Sequence, residues 1–138
     1  MAIIFSDSVR NAMLDVLETT IGTAPKLRIY DDTGTVPTGI TDGNNTNVQL
    51  AEIDLPSDWM DNASGGVKAK LGTWTDASAD ASGTAAYFRI YDTAGATAHV
   101  QGTVTNTGGG GDMEVGSTAF TAGQEFTVAT FTLTAGNS

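Results

Sequence analysis

Carboxylates are the most abundant side chains in this sequence that could do chemistry. There are 16 Asp and Glu, one His and no Cys. Residues 32–34, Asp-Thr-Gly, match the triplet of aspartic proteases, in which two carboxylates share one proton. In those enzymes two apolar residues precede the Asp, whereas here Tyr30 and Asp31 precede it. The sequence therefore favours a turn-forming role for Asp31 and Asp32, without peptidase activity.

Calcium binding is a second chemistry that the acidic residues suggest. The segment 31–47 combines Asp31, Asp32 and Asp42 with turns rich in backbone carbonyls, and Ca²⁺ prefers oxygen ligands of both kinds. The spacing matches no known calcium loop. Solvated turns remain the favoured interpretation, and neither a metal nor a cofactor is predicted.

A single histidine and a Gly-rich run are the other features that could act in catalysis or phosphate binding. His99 lies in the middle of an expected strand, where a structural hydrogen bond is favoured over catalysis or metal binding. The run Asn-Thr-Gly-Gly-Gly-Gly at 106–111 is followed by Asp112 and Glu114. A phosphate-binding loop is instead followed by a helix and usually a Lys. The run is predicted to be a hairpin tip, and the protein is predicted not to be an enzyme.

Composition indicates one domain, 1–138, built mainly of β structure. The chain is rich in Gly, with 17, and has only 3 Pro, which suits short strands joined by tight turns. Its net charge of −10 argues against nucleic acid and against an anionic membrane surface as partners. The first residues lack the basic and long apolar regions of a secretory signal.

One segment has helical periodicity. Apolar residues recur at three- and four-residue spacing, which predicts an amphipathic helix over about residues 6–20. Ser6 or Asp7 is expected to cap its start, and Gly22 to end it. The residues predicted to pack on the body of the domain are Val9, Met13, Val16 and Leu17. A helix that binds a partner would show the same stripe and is the less favoured alternative. The apolar residues 1–5 before this helix are either a core strand or an arm that orders on contact, and the core strand is favoured.

The remainder of the chain reads as short strands. They are expected at 26–30, 48–53, 67–71, 86–91, 97–104, 112–115 and 125–134. In the last of these, the apolar alternation shifts phase near Ala129 and Thr130, which indicates a β-bulge. The pattern as a whole predicts an antiparallel β-sandwich with one N-terminal helix.

Two of the strands carry nearly the same eight residues. Leu-Arg-Ile-Tyr-Asp-Asp-Thr-Gly occupies 27–34, and Phe-Arg-Ile-Tyr-Asp-Thr-Ala-Gly occupies 88–95. Strand alternation predicts that Leu/Ile and Phe/Ile face the core while Arg and Tyr face outward. Each copy then ends in an Asp/Gly turn, and the second copy is expected to continue into a hairpin.

The loop 54–66 is the main candidate for an interface. It places Trp59 and Met60 between two Asp residues in a Pro- and Gly-bounded stretch. Aromatic residues and Met are enriched at interface anchors, so Trp59 and Met60 are the predicted interaction residues. The alternative, that Trp59 closes one end of the sandwich, stands about level with it.

The order of several short motifs resembles a group of small tailed-bacteriophage proteins. The motifs lie at 6–17, 27–31, 63–71, 80–95 and 120–134, and together they span most of the chain. The resemblance is to capsid cement (decoration) proteins, similar to that of Bordetella phage.

That resemblance implies a jelly-roll-like fold and a structural role in the virion. The protein would be made in the host cytoplasm, bind the exterior of the phage head and stabilise contacts between major capsid subunits. It would do so as a homodimer or other homo-oligomer. A tail or neck component is the nearest alternative, and a carbohydrate-binding β-sandwich module is the alternative from a different class.

Overall fold

The computed structural model describes residues 1–136, which form one helix and eleven strands. The helix is α1 (Asp7–Ile21). The strands are β1 (Lys26–Tyr30), β2 (Gln49–Asp54), β3 (Val67–Ala69), β4 (Thr75–Asp76), β5 (Gly83–Thr84), β6 (Tyr87–Tyr91), β7 (Ala98–Asn106), β8 (Met113–Val115), β9 (Ala119–Phe120), β10 (Phe126–Thr127) and β11 (Thr132–Thr134). The fold is therefore mainly β with a single N-terminal helix, as the sequence predicts.

A five-stranded sheet forms the centre of the molecule, in the order β2-β1-β6-β7-β8. Its first four strands are antiparallel, and β8 pairs with β7 in parallel. The connection 107–112 is thus not the tip of an antiparallel hairpin, as the sequence suggested, but returns the chain in the same direction. This curled, mainly antiparallel sheet is compatible with a β-sandwich.

The two similar octets are neighbours in this sheet. β1 and β6 pair along their whole length, with Leu27 opposite Ile90 and Ile29 opposite Phe88. These four side chains are at most 1% exposed, which confirms the inward apolar positions. Gly102 of β7 lies opposite Phe88, and a Cβ there would approach the Phe88 ring to 2.8 Å. The absence of a side chain at Gly102 gives that ring its space.

Short strand pairs cover the inner face of the sheet. They are β3 with β11, β4 with β10 and β5 with β9. Phe131 lies between β10 and β11. Its ring packs edge-on against that of Phe88, with centroids 5.6 Å apart, and at a tilt against that of Trp74, with centroids 5.5 Å apart. The predicted single strand 125–134 is therefore two strands in different pairs. The phase shift near Ala129 marks the break between them rather than a bulge.

The helix begins and ends where its capping residues predict. The Ser6 hydroxyl accepts a hydrogen bond from the Val9 amide, and Gly22 ends the helix with φ 96°. Its inward side, however, is largely polar. Asn11, Asp15 and Glu18 accept hydrogen bonds from the backbone amides of Gly66, Ala63 and Met60, respectively.

The predicted orientation of the helix is wrong for three of its four stripe residues. Val9, Met13 and Val16 are 44%, 51% and 54% exposed, and only Leu17 packs partly against the core. Leu14 and Ile21 are the buried apolar residues of α1. The preceding residues 1–6 are exposed and belong to no strand, so the expectation of a core strand there is also wrong.

A buried lysine explains this orientation. Lys68 of β3 is 1% exposed, and its ammonium lies 2.8 Å from carboxylate oxygens of both Asp15 and Glu18. It also donates to the Asp61 carbonyl at 2.8 Å. A buried ammonium without such partners would cost several kcal/mol. The helix must therefore turn its acidic side, rather than its apolar stripe, toward the domain.

Substitutions on the two sides of the helix should have opposite effects. Leu14→Ala leaves a cavity under the helix and should lower the free energy of unfolding by about 2–5 kcal/mol. Met13→Asp places a charge in water and should change it by about 0.5 kcal/mol or less. Urea denaturation of the two variants tests this. A larger loss for Met13→Asp would show that the stripe faces the domain after all.

The Lys68 cluster should make stability depend on pH at both extremes. Burial lowers the pKa of Lys68, but its bonds to Asp15 and Glu18 outweigh burial and raise it above 10.5. The bond from Lys68 holds the pKa of Asp15 below 3.8. The Asp15 contribution is present above pH 3.8 and is lost as the pH falls through its lower folded pKa. The Lys68 contribution is present below pH 10.5 and is lost as the pH rises through its higher folded pKa.

Lys68→Met isolates this effect. Because Asp15 and Glu18 remain partly exposed, the loss of stability should be less than the roughly 3–5 kcal/mol of a fully buried pair. Unfolding free energies measured from pH 2.5 to 11 should show a smaller fall at each extreme in Lys68→Met than in the wild type. Parallel pH profiles for the two proteins would contradict the assignment.

Candidate functional site

The outer face of the central sheet is covered by the long loop between β1 and β2. Residues 32–48 of this loop cross the sheet, and Arg89 of β6 holds them there. Its Nη2 donates to the carbonyls of Gly39 and Asp42 at 2.9 and 3.0 Å. Gln101 of β7 accepts from Arg89 Nε at 2.7 Å and donates to the Pro37 carbonyl. Two strand residues thus fix the middle of the loop.

The loop is also ordered by its own side chains. Asp42 accepts hydrogen bonds from the amide and hydroxyl of Thr38 and from the amide of Asn44. These donors hold the pKa of Asp42 below its ordinary value, the Thr38 amide contributing most. At the end of the loop, Asn45 accepts from the Tyr87 hydroxyl at 2.8 Å and from the Asn47 amide at 3.0 Å.

A cleft remains between this loop and the turn that joins β6 to β7. Its volume is about 460 Å³. The loop contributes one wall, residues 96–98 after the turn contribute another, and Arg89 and Tyr91 form the base. The lining residues are Ile40, Thr41, Asp42, Gly43, Asn45, Arg89, Tyr91, Ala96, Thr97 and Ala98. The cleft is the main concave polar site of the outer face.

The two arginines of the repeated octets differ in their charge environment. Arg28 and Arg89 lie opposite each other across β1 and β6. Arg28 bonds to the Glu52 carboxylate at 2.6 Å and lies over the Tyr91 ring. Arg89 is 3% exposed, and within residues 1–136 it forms no ion pair and bonds only to neutral oxygens. The cleft is therefore lined both by the Arg89 guanidinium and by the Asp42 carboxylate, whose pKa Arg89 helps to lower.

Tyrosines complete the outer face. Tyr30 stacks on Tyr87 with ring centroids 5.2 Å apart, and its hydroxyl lies 3.2 Å from that of Tyr91. Burial, together with the Tyr91 hydroxyl, strongly raises the pKa of Tyr30, so it stays protonated in the physiological range. The sequence predicted these Arg and Tyr side chains to face outward. They do leave the apolar core, but the loop then buries all of them except Arg28.

The Asp-Thr-Gly triplet lies at the start of this loop as a turn. Asp31 is buried, and its carboxylate accepts from the Val48 amide and the Thr33 hydroxyl. Asp32 is exposed. The carboxylates considered for calcium do not converge, and in the described part of the chain no group of three or more acidic or His residues could hold a metal ion.

Trp59 and Met60, the predicted interaction residues, lie in the core. Trp59 is 0% exposed and Met60 is 2% exposed, so neither side chain is available to a partner in this conformation. The Trp59 indole donates to the Gly22 carbonyl at 3.2 Å and its ring lies 6.2 Å from that of Trp74. The competing interpretation, closure of the domain by Trp59, describes this arrangement.

The histidine and the Gly-rich run, the other two candidates from the sequence, make contacts typical of structural roles. His99 lies in β7 and is half-buried. In the Gly-rich run, the amides of Gly108 and Gly110 donate to the Glu114 carboxylate at 3.1 and 2.9 Å. These donors hold the pKa of Glu114 below its ordinary value. The run binds a carboxylate of its own chain instead of a phosphate.

Comparison with known proteins finds no relative for this chain. No family model, no curated protein and no solved structure matches it. Among the described residues, no helix is both long enough and apolar enough to cross a membrane. The role of the protein surface is therefore inferred from its geometry and charge.

Sequence reasoning missed the cleft at Arg89 and favoured the wrong side of α1 for packing. The structure shows β6 buried at all five positions, including Arg89, so both faces of this strand are covered. That coverage was not visible in the sequence, because it depends on the loop before β2, which is distant in the chain.

Arg89 should control the order of the loop. Arg89→Met keeps most of the side-chain volume but removes the donors to Gly39 and Asp42. Amide hydrogen exchange in residues 36–43 should then become at least about tenfold faster, because local opening no longer breaks those bonds. Exchange measured by mass spectrometry gives the result. Arg28→Met is the matched control, and equal acceleration of the loop in both variants would contradict the assignment.

Proposed function

We propose that this protein is a structural virion protein that cements the phage head by binding the outer surface of the assembled shell. The observation that carries the proposal is the apolar stripe of α1, formed by Val9, Met13 and Val16. The three residues follow the i, i+4, i+7 spacing of a single helix face, and each is roughly half exposed. Contiguous exposed apolar surface of this kind is typical of an interaction site.

The stripe cannot be hidden by rotating the helix. The opposite side of α1 is tied to the body through Asp15 and Glu18 on Lys68, and through Arg10 on the Ala135 carbonyl. Turning the stripe inward would break these bonds and leave the Lys68 charge buried alone. Contact with another protein is the remaining way to remove the stripe from water.

Charge supports a protein shell as the partner. With a net charge of −10, the chain is repelled by nucleic acid and by anionic lipid. An apolar protein surface with a neutral or basic rim complements it. The motif resemblance supplies the identity of that surface, the major capsid protein, and implies the finer jelly-roll-like topology and the homo-oligomeric state. Each copy then bridges neighbouring capsid subunits. Because those subunits are already held together in the shell, the second contact of a bound copy increases its overall affinity.

Removing the stripe should weaken binding without unfolding the protein. Val9→Ser/Val16→Ser replaces two exposed valines, so stability should change by less than about 1 kcal/mol. Copies bound per shell should fall severalfold when the variant is mixed with undecorated capsids of the encoding virus, and the shells should disassemble at a lower temperature than wild-type-decorated shells. Cosedimentation and differential scanning calorimetry measure the two effects.

Val36→Ser/Val48→Ser is the matched control, since it removes two exposed valines from the loop on the outer face of the sheet. It should bind like the wild type. Wild-type protein that fails to bind capsids, or that cosediments with purified tails instead of heads, would overturn the cement proposal. Equal loss in both double variants would show that the α1 stripe is not the contact.

A further inference from the structure

The guanidinium of Arg89 lines the cleft and uses only part of its hydrogen-bonding capacity. Two nitrogens of this buried guanidinium, Nε and Nη2, bond to the loop and to Gln101, whereas Nη1 has no hydrogen-bond acceptor among the described residues. No buried side-chain nitrogen or oxygen in that part of the chain lacks a partner, so Nη1 keeps some solvent exposure, and Arg89 is one of the residues that line the cleft. Besides the Thr38 amide, the charge of Arg89 lowers the pKa of Asp42. Among the described residues, however, no carboxylate accepts a hydrogen bond from Arg89, so an anionic ligand that did so would stabilise the guanidinium further.

Unused polar groups lie on the loop side of the same cleft. The side-chain oxygen of Asn45 accepts from the Asn47 amide, and this fixes the orientation of its amide group. Its Nδ2 is then a donor that the structure uses in no bond. The Thr41 hydroxyl likewise forms no hydrogen bond within residues 1–136. Both residues line the cleft together with Arg89.

Size and composition limit what the cleft could hold. A volume of about 460 Å³ is within the range of small-ligand sites, roughly 300–1,000 Å³, and far exceeds what a simple inorganic ion needs. The walls combine Tyr91, Ile40 and two alanines with hydroxyl and amide groups. A ligand with an acid group and a compact body that is partly apolar and partly hydroxylated fits this lining.

The charge balance favours a carboxylate over a phosphate. Asp42 lines the cleft as well, and its carboxylate keeps the loop side negative. A singly charged carboxylate can pair with the remaining guanidinium nitrogen, and Asp42 repels it less strongly than it repels a doubly charged phosphate. We propose that this cleft binds a small hydroxylated organic carboxylate of sugar-acid size, with its acid group on Nη1 of Arg89. The proposal is independent of shell binding, because the α1 stripe takes no part in it.

Titration of the intact protein with galacturonate tests the proposal. The probe is added to uniformly ¹⁵N-labelled protein and followed by two-dimensional NMR. Saturable shifts are expected at millimolar concentration in residues 40–45, 89–91 and 96–98, and not along α1. Galactose, which has the same ring without the acid group, should give shifts at least about tenfold weaker in apparent affinity, because it leaves Nη1 unpaired. Acetate should compete with galacturonate.

Asn45→Asp provides the matched variant. The carboxylate keeps the acceptor for Tyr87 and Asn47 but replaces the Nδ2 donor with a negative charge facing the site. Galacturonate affinity should fall at least about tenfold. Asn44→Asp makes the same change one residue away, at a side chain that does not line the cleft, and should stay within about threefold of the wild type.

Three results would overturn the proposal. They are the absence of saturable shifts with galacturonate, equal affinity for galactose, and tighter binding of inorganic phosphate than of galacturonate. Equal affinity of the Asn45→Asp and Asn44→Asp variants would also overturn it. If Asn45→Asp fails to fold, the wild-type comparison of galacturonate, galactose and phosphate decides alone.

Discussion

A single buried ammonium determines how the helix meets the rest of this molecule. Lys68 lies in β3 beneath α1, and its charge is stabilised by Asp15, Glu18 and the Asp61 carbonyl. Electrostatics of this kind is strong where water is excluded, so the polar side of the helix is drawn inward. The consequence appears on the opposite side of α1, where the apolar stripe remains in contact with water. A bond made for stability thus leaves an apolar surface available for recognition.

The central sheet shows a related division between its two faces. The paired octets of β1 and β6 supply an inner face of Leu, Ile and Phe that packs on Trp74 and Phe131. The same alternation supplies an outer face of Arg and Tyr that would be solvated in a bare sheet. The loop 32–48 covers this second face, and hydrogen bonds from Arg89 and Gln101 hold it there. Burial of polar groups is tolerated there because nearly all of them have partners.

Arg89 links that arrangement to the proposed ligand site. Its cross-strand counterpart, Arg28, forms an ion pair with Glu52. Arg89 instead donates hydrogen bonds to loop carbonyls, and its Nη1 forms no hydrogen bond among the described residues. Nearly identical octets therefore place an ion-paired arginine on one strand and, on the next, an arginine that hydrogen-bonds only to neutral oxygens. The difference arises from the neighbours, since β2 brings a glutamate to Arg28 and β7 brings a glutamine to Arg89.

Local patterns in the sequence determined where the helix and the longer strands lie. Tertiary contacts determined which of their side chains are buried and which are exposed. The Ser6 and Gly22 caps, the alternation in 26–30 and 86–91, and the Asp/Gly turns depend on bonds between near neighbours, so they could be predicted from the chain alone. Strands of two residues such as β4, β5 and β9 could not, because only their partners define them. The side of α1 that faces inward, the burial of Trp59 and the charge of the cleft were also beyond prediction. Each depends on residues far apart in sequence: Asp15 with Lys68, Trp59 with Gly22, and Arg89 with the carbonyls of Gly39 and Asp42. Hydrophobic periodicity reports that a helix has two sides, but a buried charge elsewhere in the fold decided which side turned inward.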